Sequence, residues 1–166
     1  MADIKTLDDL FVHELSDIYS AEKQLTRALP KLARAAADQQ LAAGFTRHLE
    51  ETQGQVERID EIVELVGIRL KRMKCHAMEG LVEEGNEVVE MIGKGLLRDI
   101  ALIGGARRVE HYEIAGYTTL IMLAEKLGHR QAIALLRETL AEETATDEKL
   151  GKLAQAMKME AATAKG

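Results

Sequence analysis

Four long stretches of this chain place an apolar residue every three or four positions. The first runs through Phe11, Leu15, Ile18, Glu22, Leu25, Leu29 and Leu32. The second spans about Leu41 to Val66 through Phe45, Leu49, Thr52, Val56, Ile59 and Val63. The third spans about Leu96 to Leu127 through Ile100, Ile103, Arg107, Glu110, Ile114, Tyr117, Ile121 and Ala124. The fourth spans about Gln131 to Met157 through Ile133, Leu136, Leu140, Glu143, Asp147, Leu150 and Ala154. Spacing sustained this way is the seam of a helix packed in a bundle. A single proline in 166 residues argues against a turn-rich β fold. The expectation is an all-α single domain over residues 1–166, with a frayed tail from about residue 159.

Local signals fit these helices. Thr6 precedes the first as an N-cap, and Gly67 and Gly128 stop the second and third. Pro30 falls late in the first pattern. It predicts a kink rather than an end, because Leu32 and the alanines after it keep the helical spacing. Short turns join the first two helices and the last two, so each pair forms an antiparallel hairpin. The link "IRLKRMKCHAMEGLVEEGNEVVEMIGKG" separates the hairpins and regains helical periodicity at Met78, Leu81, Val82, Val88, Val89 and Ile92. A link of that length can travel the whole bundle and leave the second and third long helices parallel. One long crossover is the ferritin-like variant of the four-helix bundle, here with an additional short helix.

Charge narrows the function classes. A net charge of −6 disfavours nonspecific nucleic-acid binding. The one basic cluster, Arg69 to Lys74, reads as a solvated loop, since short basic runs match by chance. Cys75 is the only cysteine, which excludes an intramolecular disulfide and a Cys-built zinc or iron–sulfur site. The N-terminus lacks a long apolar signal region, and no apolar run of about 18 residues predicts a membrane span. A cytoplasmic protein is expected.

Carboxylates interrupt the apolar seams. Glu143 and Asp147 occupy seam positions of the fourth helix. Glu110 does so in the third, with Glu113 one turn along the same side. Burying several unpaired carboxylates costs several kcal/mol each. They must be protonated, paired with arginine, or bound to a cation. Arg107, one turn before Glu110, offers the ion-pair answer. A weak internal match favours the cation. "EET" recurs at Glu50–Thr52 and Glu142–Thr144, 92 residues apart, and Asp17-Ile18-Tyr19 matches Glu110-His111-Tyr112 at an offset of 93. Two related hairpins would bring acids from four helices to one level, the geometry of a dinuclear metal site.

The repeat selects Glu51 and Gln55 on the second helix over the alternative Glu50 and Gln53. On the first helix the repeat selects Asp17 and the seam selects Glu22, so both stand. The candidate ligands are Asp17, Glu22, Glu51, Gln55, Glu110, Glu113, Glu143 and Asp147. Glu14 and His48 are weaker candidates. His111, about 100° around from Glu110, reads as a neighbour of the site or as exposed. Tyr19, Tyr112 and Tyr117 read as half-buried tyrosines, able to hydrogen-bond carboxylates. Met73, Met78 and Met91 read as packing for the crossover. Gly104 and Gly105 read as points of close helix approach. No Ser/His/Asp or Cys/His constellation is legible.

The segments "ELSDIYSAEKQLTRALPKLARAA", "HLEETQGQVERI", "KRMKCHAMEGLVEE", "VEHYEIAGYTTL" and "ETLAEETATDEKL" resemble the YciF family of ferritin-like bacterial stress proteins, across nearly the whole chain. The resemblance implies a ferritin-like bundle with an additional short helix, a homodimer and a role in stress responses. "VEHYEIAGY" also resembles the Glu-x-x-Glu segment of rubrerythrin-type di-iron proteins, which implies ligand roles for Glu110 and Glu113. Such proteins take a histidine from the second and fourth helices, where this chain offers Gln55 (or Gln53) and Asp147. An all-oxygen set suits Mg²⁺ or Ca²⁺ as well as Fe or Mn. Two functions are expected in competition. One is redox protection at a dinuclear Fe or Mn centre reacting with O₂ or peroxide. The other is a metal-free dimeric structural or interaction module induced under stress.

Overall fold

Thr6 opens the first helix, α1 (Leu7–Ala35), with a capping box. Its hydroxyl accepts from the Asp9 N–H at 3.0 Å, and the Asp9 carboxylate accepts from the Thr6 N–H at 3.0 Å. The computed structural model describes residues 3–158; the tail expected to fray lies outside them. The helix runs through Pro30 to Ala35. Asp38 caps α2 (Gln39–Val66) by accepting from the Leu41 N–H at 2.9 Å. Gly67 ends α2 at φ 71°, a left-handed conformation that glycine adopts without a Cβ clash. Then follow α3 (His76–Met91), α4 (Leu96–Leu127), its stop Gly128 at φ 76°, and α5 (Arg130–Ala156). Among the described residues every regular element is a helix, and none is long and apolar enough to cross a membrane.

The four long helices pack in a ring in the order α1, α2, α5, α4, and α3 lies across α1 and α4. The crossover sets the topology. Its extended part follows one ridge of α1, where Ser16, Ser20 and Gln24 stand four residues apart. The Lys71 N–H donates to the Ser16 hydroxyl at 2.9 Å and the Cys75 N–H to the Ser20 hydroxyl at 2.9 Å. Gln24 Nε2 donates to the Cys75 carbonyl at 3.0 Å. The chain thus returns to the end of the bundle where α1 finishes. There the Asp99 carboxylate accepts from the Ala37 and Asp38 N–H groups, each at 2.8 Å. Arg98 donates to the Val89 and Ile92 carbonyls that close α3. α2 and α4 therefore run parallel, and the fold is a ferritin-like four-helix bundle with one long crossover and a short extra helix.

Two expectations about packing change. Gly104 and Gly105 have open space where a Cβ would stand; the close approach is at Gly116, whose Cβ would meet Ile18 Cδ1 at 2.5 Å. Met78 is buried under α3, whereas Met91 is exposed.

The apolar core is split. One cluster includes Leu25, Phe45, Val109 and Leu150; the other includes Ile18, Ile59, Tyr117 and Leu136. Along each long helix a buried polar residue lies between members of the two clusters: Glu22 on α1, Thr52 and Gln55 on α2, Glu110 and Glu113 on α4, Glu143 on α5. The bundle carries a polar layer across its middle.

Candidate metal centre

Seam geometry delivers this layer. Glu22 continues the line of Leu15 and Ile18, and Glu143 continues that of Leu136, so each side chain must point inward wherever its apolar neighbours do. Glu110 and Glu113 share a face of α4 because they are three residues apart. His48 enters from α2, one turn before Thr52. Ligand atoms of His48, Glu110, Glu113 and Glu143 all lie within 4.8 Å of one another. His48 Nε2 stands 3.3 Å from Glu110 Oε1 and 3.8 Å from Glu143 Oε2. The carboxyls of Glu22, Glu110, Glu113 and Glu143 are wholly excluded from solvent at 0% exposure, so water does not answer them.

Among the described residues no donor outside the cluster answers them, save the Tyr117 hydroxyl on Glu22; a proton shared between neighbouring carboxyls is the only other partner they have. Among the described residues, nine buried side-chain atoms lack a hydrogen-bond partner. They are one oxygen of Glu22, His48 Nε2, Gln55 Oε1 and both oxygens of Glu110, Glu113 and Glu143. All belong to this layer. The other Glu22 oxygen accepts from the Tyr117 hydroxyl, and Gln55 Nε2 donates to Glu142 at 2.9 Å. Native proteins leave few buried polar atoms unpaired, at a cost of about 1–3 kcal/mol each.

Protonation follows from burial. Burial, then the neighbouring Glu143, pushes the carboxyls of Glu22, Glu110 and Glu113 well above the usual range. Burial also lowers the His48 imidazole against the pull of Glu143 and Glu51, leaving it neutral with a lone pair to offer. Burial, then the Glu22 charge, raises the Tyr117 phenol, which stays a donor. Crowded acids beside a neutral imidazole form a donor set matched to a divalent cation, which would displace the protons and satisfy the orphaned oxygens together. A cleft of about 310 Å³ between α2 and α5, lined by Gly44, Glu51, Thr146 and Lys149 among others, leads from solvent to His48.

Of the residues expected from the sequence, the structure brings Glu22, Gln55, Glu110, Glu113 and Glu143 into the layer. Asp17 is not there. It faces the crossover, accepting from the Tyr112 hydroxyl, with Cys75 Sγ at 3.3 Å. Glu51 is half-buried in the α2–α5 cleft, where Thr146 donates to it at 3.3 Å. Glu50 and Gln53 are exposed. Asp147 leaves the layer for Arg107, whose Nε donates to it at 2.8 Å, and for His111 at 3.2 Å. Those partners, the Arg107 hydrogen bond first, hold its carboxyl below the usual range. Arg107 therefore does not pair with Glu110.

The repeat explains these errors. Buried positions of the two hairpins match at an offset of 91: Leu41 with Ala132, Phe45 with Leu136, His48 with Thr139, Thr52 with Glu143, and Ile59 with Leu150. On the other pair of helices Ile18 matches Val109 and Glu22 matches Glu113. The "EET" alignment is one residue out of this register, and one residue is about 100° of helix. The counterpart of Glu143 is Thr52, not Glu51. Di-iron carboxylate bundles use one Glu from each of two helices and Glu-x-x-His from each of the others. Here Glu22 and Glu113 stand at the positions of the single glutamates, while the other two segments read Thr52-x-x-Gln55 and Glu143-x-x-Thr146. The imidazole comes instead from His48, and an added carboxylate from Glu110.

Comparison with known proteins places the chain. The family described as a domain of unknown function (DUF892) matches residues 6–163. Protein YciF of Escherichia coli strain K12 is 61% identical over 152 residues, covering 91% of this chain and 92% of that protein. The crystal structure of the E. coli stress protein YciF superposes with a TM-score of 0.89, covering 91% of this chain and 96% of that one. The structure of YcfI from Rhodopseudomonas palustris is 44% identical, with a TM-score of 0.86 and coverage of 90% and 95%. This chain belongs to the DUF892 family, with YciF of E. coli among its relatives.

Proposed function

We propose that the polar layer binds divalent cations, Fe²⁺ or Mn²⁺, and that the protein serves oxidative-stress protection through them. The observation that carries this reading is the concentration of unpaired buried polar atoms in a single layer. His48 adds a nitrogen donor, which favours Fe²⁺ over Mg²⁺ or Ca²⁺, while the carboxylates also suit Mn²⁺. Glu110, Glu113, Glu143 and His48 would hold one ion; Glu22, beside Glu113, extends the set to a second. A bound pair of such ions would supply electrons to O₂ or peroxide. The residues contribute the rest. The two apolar clusters exclude water above and below the layer, the α2–α5 cleft admits small molecules at His48, and the Tyr117 hydroxyl orients Glu22. The protein acts as a homodimer in this reading, a property carried over from the family resemblance and checked by its mass in solution.

The absence of both Glu-x-x-His histidines favours a second reading, in which the acids stay protonated and the protein is a metal-free structural module. Metal content decides between them. Protein loaded anaerobically with Fe²⁺ or Mn²⁺ and passed over a desalting column should retain metal in near-integral ratio, and Glu113→Gln should not. Metal content near zero in both proteins supports the module.

A further inference from the structure

We propose that the groove between α1, the crossover and α3 binds a linear oligophosphate, a ligand of three or more linked phosphates. The groove encloses about 870 Å³, a volume typical of small-ligand sites. Lys23, Arg27 and Lys31 line one wall from α1, and Lys71, Arg72 and Lys74 line the other from the crossover. A chain of net charge −6 thus gathers six of its 22 basic residues into one groove. Among the described residues, only Lys74 of the six has an acidic partner within ion-pair distance, Glu79. Like charges repel, so such a collection is costly without an anion to answer it.

The two cationic rails are held in place. Ser16, Ser20 and Gln24 fix the crossover backbone along α1, so the spacing between the walls is set before any ligand arrives. Lys23, Arg27 and Lys31 stand about 6 Å apart along the helix, from a rise of about 1.5 Å per residue. A row of cations suits a row of linked anionic groups better than a single one.

Other polyanions fit less well. Single-stranded nucleic acid gains affinity by stacking bases on aromatic rings. The groove has one aromatic residue, Tyr19, and the Lys23 ammonium already sits over its ring at 5.9 Å. A duplex would extend past the groove, where α3 exposes Glu83, Glu84, Glu87 and Glu90. An oligophosphate concentrates its charge within the groove's own length.

Isothermal titration of the full chain with inorganic tripolyphosphate, in metal-free buffer at about 50 mM salt, tests the assignment. Saturable one-to-one binding is expected, weakening linearly in log–log form as salt rises. The double variant Arg27→Gln/Lys71→Gln should lose about tenfold or more in affinity, while Arg130→Gln/Lys152→Gln, outside the groove, should change it less than about twofold. Circular dichroism of both variants controls for folding, and Glu113→Gln should bind as the native chain does. Orthophosphate should bind at least about tenfold more weakly. Absence of saturable binding, equal losses in the two double variants, or equal affinity for orthophosphate would overturn the proposal. Tighter binding of a thymidine oligonucleotide than of tripolyphosphate would also overturn it, in favour of nucleic acid.

Discussion

Asp99 and Glu143 are buried to nearly the same degree and live under opposite conditions. Asp99, at the end of the bundle, has a backbone N–H at 2.8 Å on each oxygen. Glu143, in the middle, has no hydrogen-bond partner on either oxygen. One turn beyond Glu143, Asp147 escapes the layer and meets Arg107 and His111. Burial alone therefore does not mark a functional acid. The mark is burial without an answering donor, and in this bundle it falls on one layer.

The contrast breaks most visibly in metal content. Glu113→Gln and Glu143→Gln should each reduce retained Fe²⁺ or Mn²⁺ by about tenfold or more, since a ligating carboxylate is lost. Elemental analysis after anaerobic loading reads this directly, and unchanged retention would remove the layer from metal binding. Stability should respond with opposite sign at the two sites. Asp99→Asn loses a charged acceptor for two buried N–H groups and should cost about 2 kcal/mol. At about 2–4 °C per kcal/mol for a chain of this size, thermal unfolding resolves that. Glu113→Gln in metal-free protein should instead raise the midpoint.

A pH series sharpens the same comparison. The carboxyls of Glu22, Glu110 and Glu113 are raised in the folded state. The unfolded chain therefore holds fewer protons than the folded one above the ordinary carboxyl range. Metal-free protein should lose stability as pH rises from about 5 to 8, and a bound cation should cancel the loss. A melting midpoint that climbs over that range without metal would contradict the assigned protonation. The smallest effect is expected at Arg107→Ala. It removes a partly exposed, solvent-screened ion pair, should lower the melting midpoint least of these variants, and should leave metal content unchanged. Any loss of metal there would show that Arg107 and the layer are coupled.

Much of this arrangement was readable in the sequence. The seam spacing placed α2, α4 and α5 to within two residues at either end, and Thr6, Gly67 and Gly128 mark the start of α1 and the ends of α2 and α4 by local chemistry. Seam position also marked Glu22, Glu110 and Glu143, whose direction is fixed by the apolar residues a turn away. Asp17, Glu51 and Asp147 came from short matches or from seam positions near an edge, where a register error of one or two residues turns a side chain out of the core. Asp99 gave no signal. An acid in the first turn of a helix reads as an ordinary dipole partner, and only the fold brings the α1–α2 turn against it. The basic groove was hidden for a related reason. Half of its cations lie on α1, about 40–50 residues before the rest, and the linear cluster alone reads as a solvated loop.

The hydrogen bonds that seat the crossover on the α1 ridge reach its main chain, and only the buried Cys75 adds a side-chain anchor, to Asp17 and Tyr112. Lys71 and Cys75 are held through N–H groups that almost any residue would present. The path from Lys71 to Lys74 is therefore little affected by which side chains those positions display. Descendants of this sequence can exchange lysine for another residue there, and so change what the groove attracts, without disturbing the route by which the two hairpins are joined.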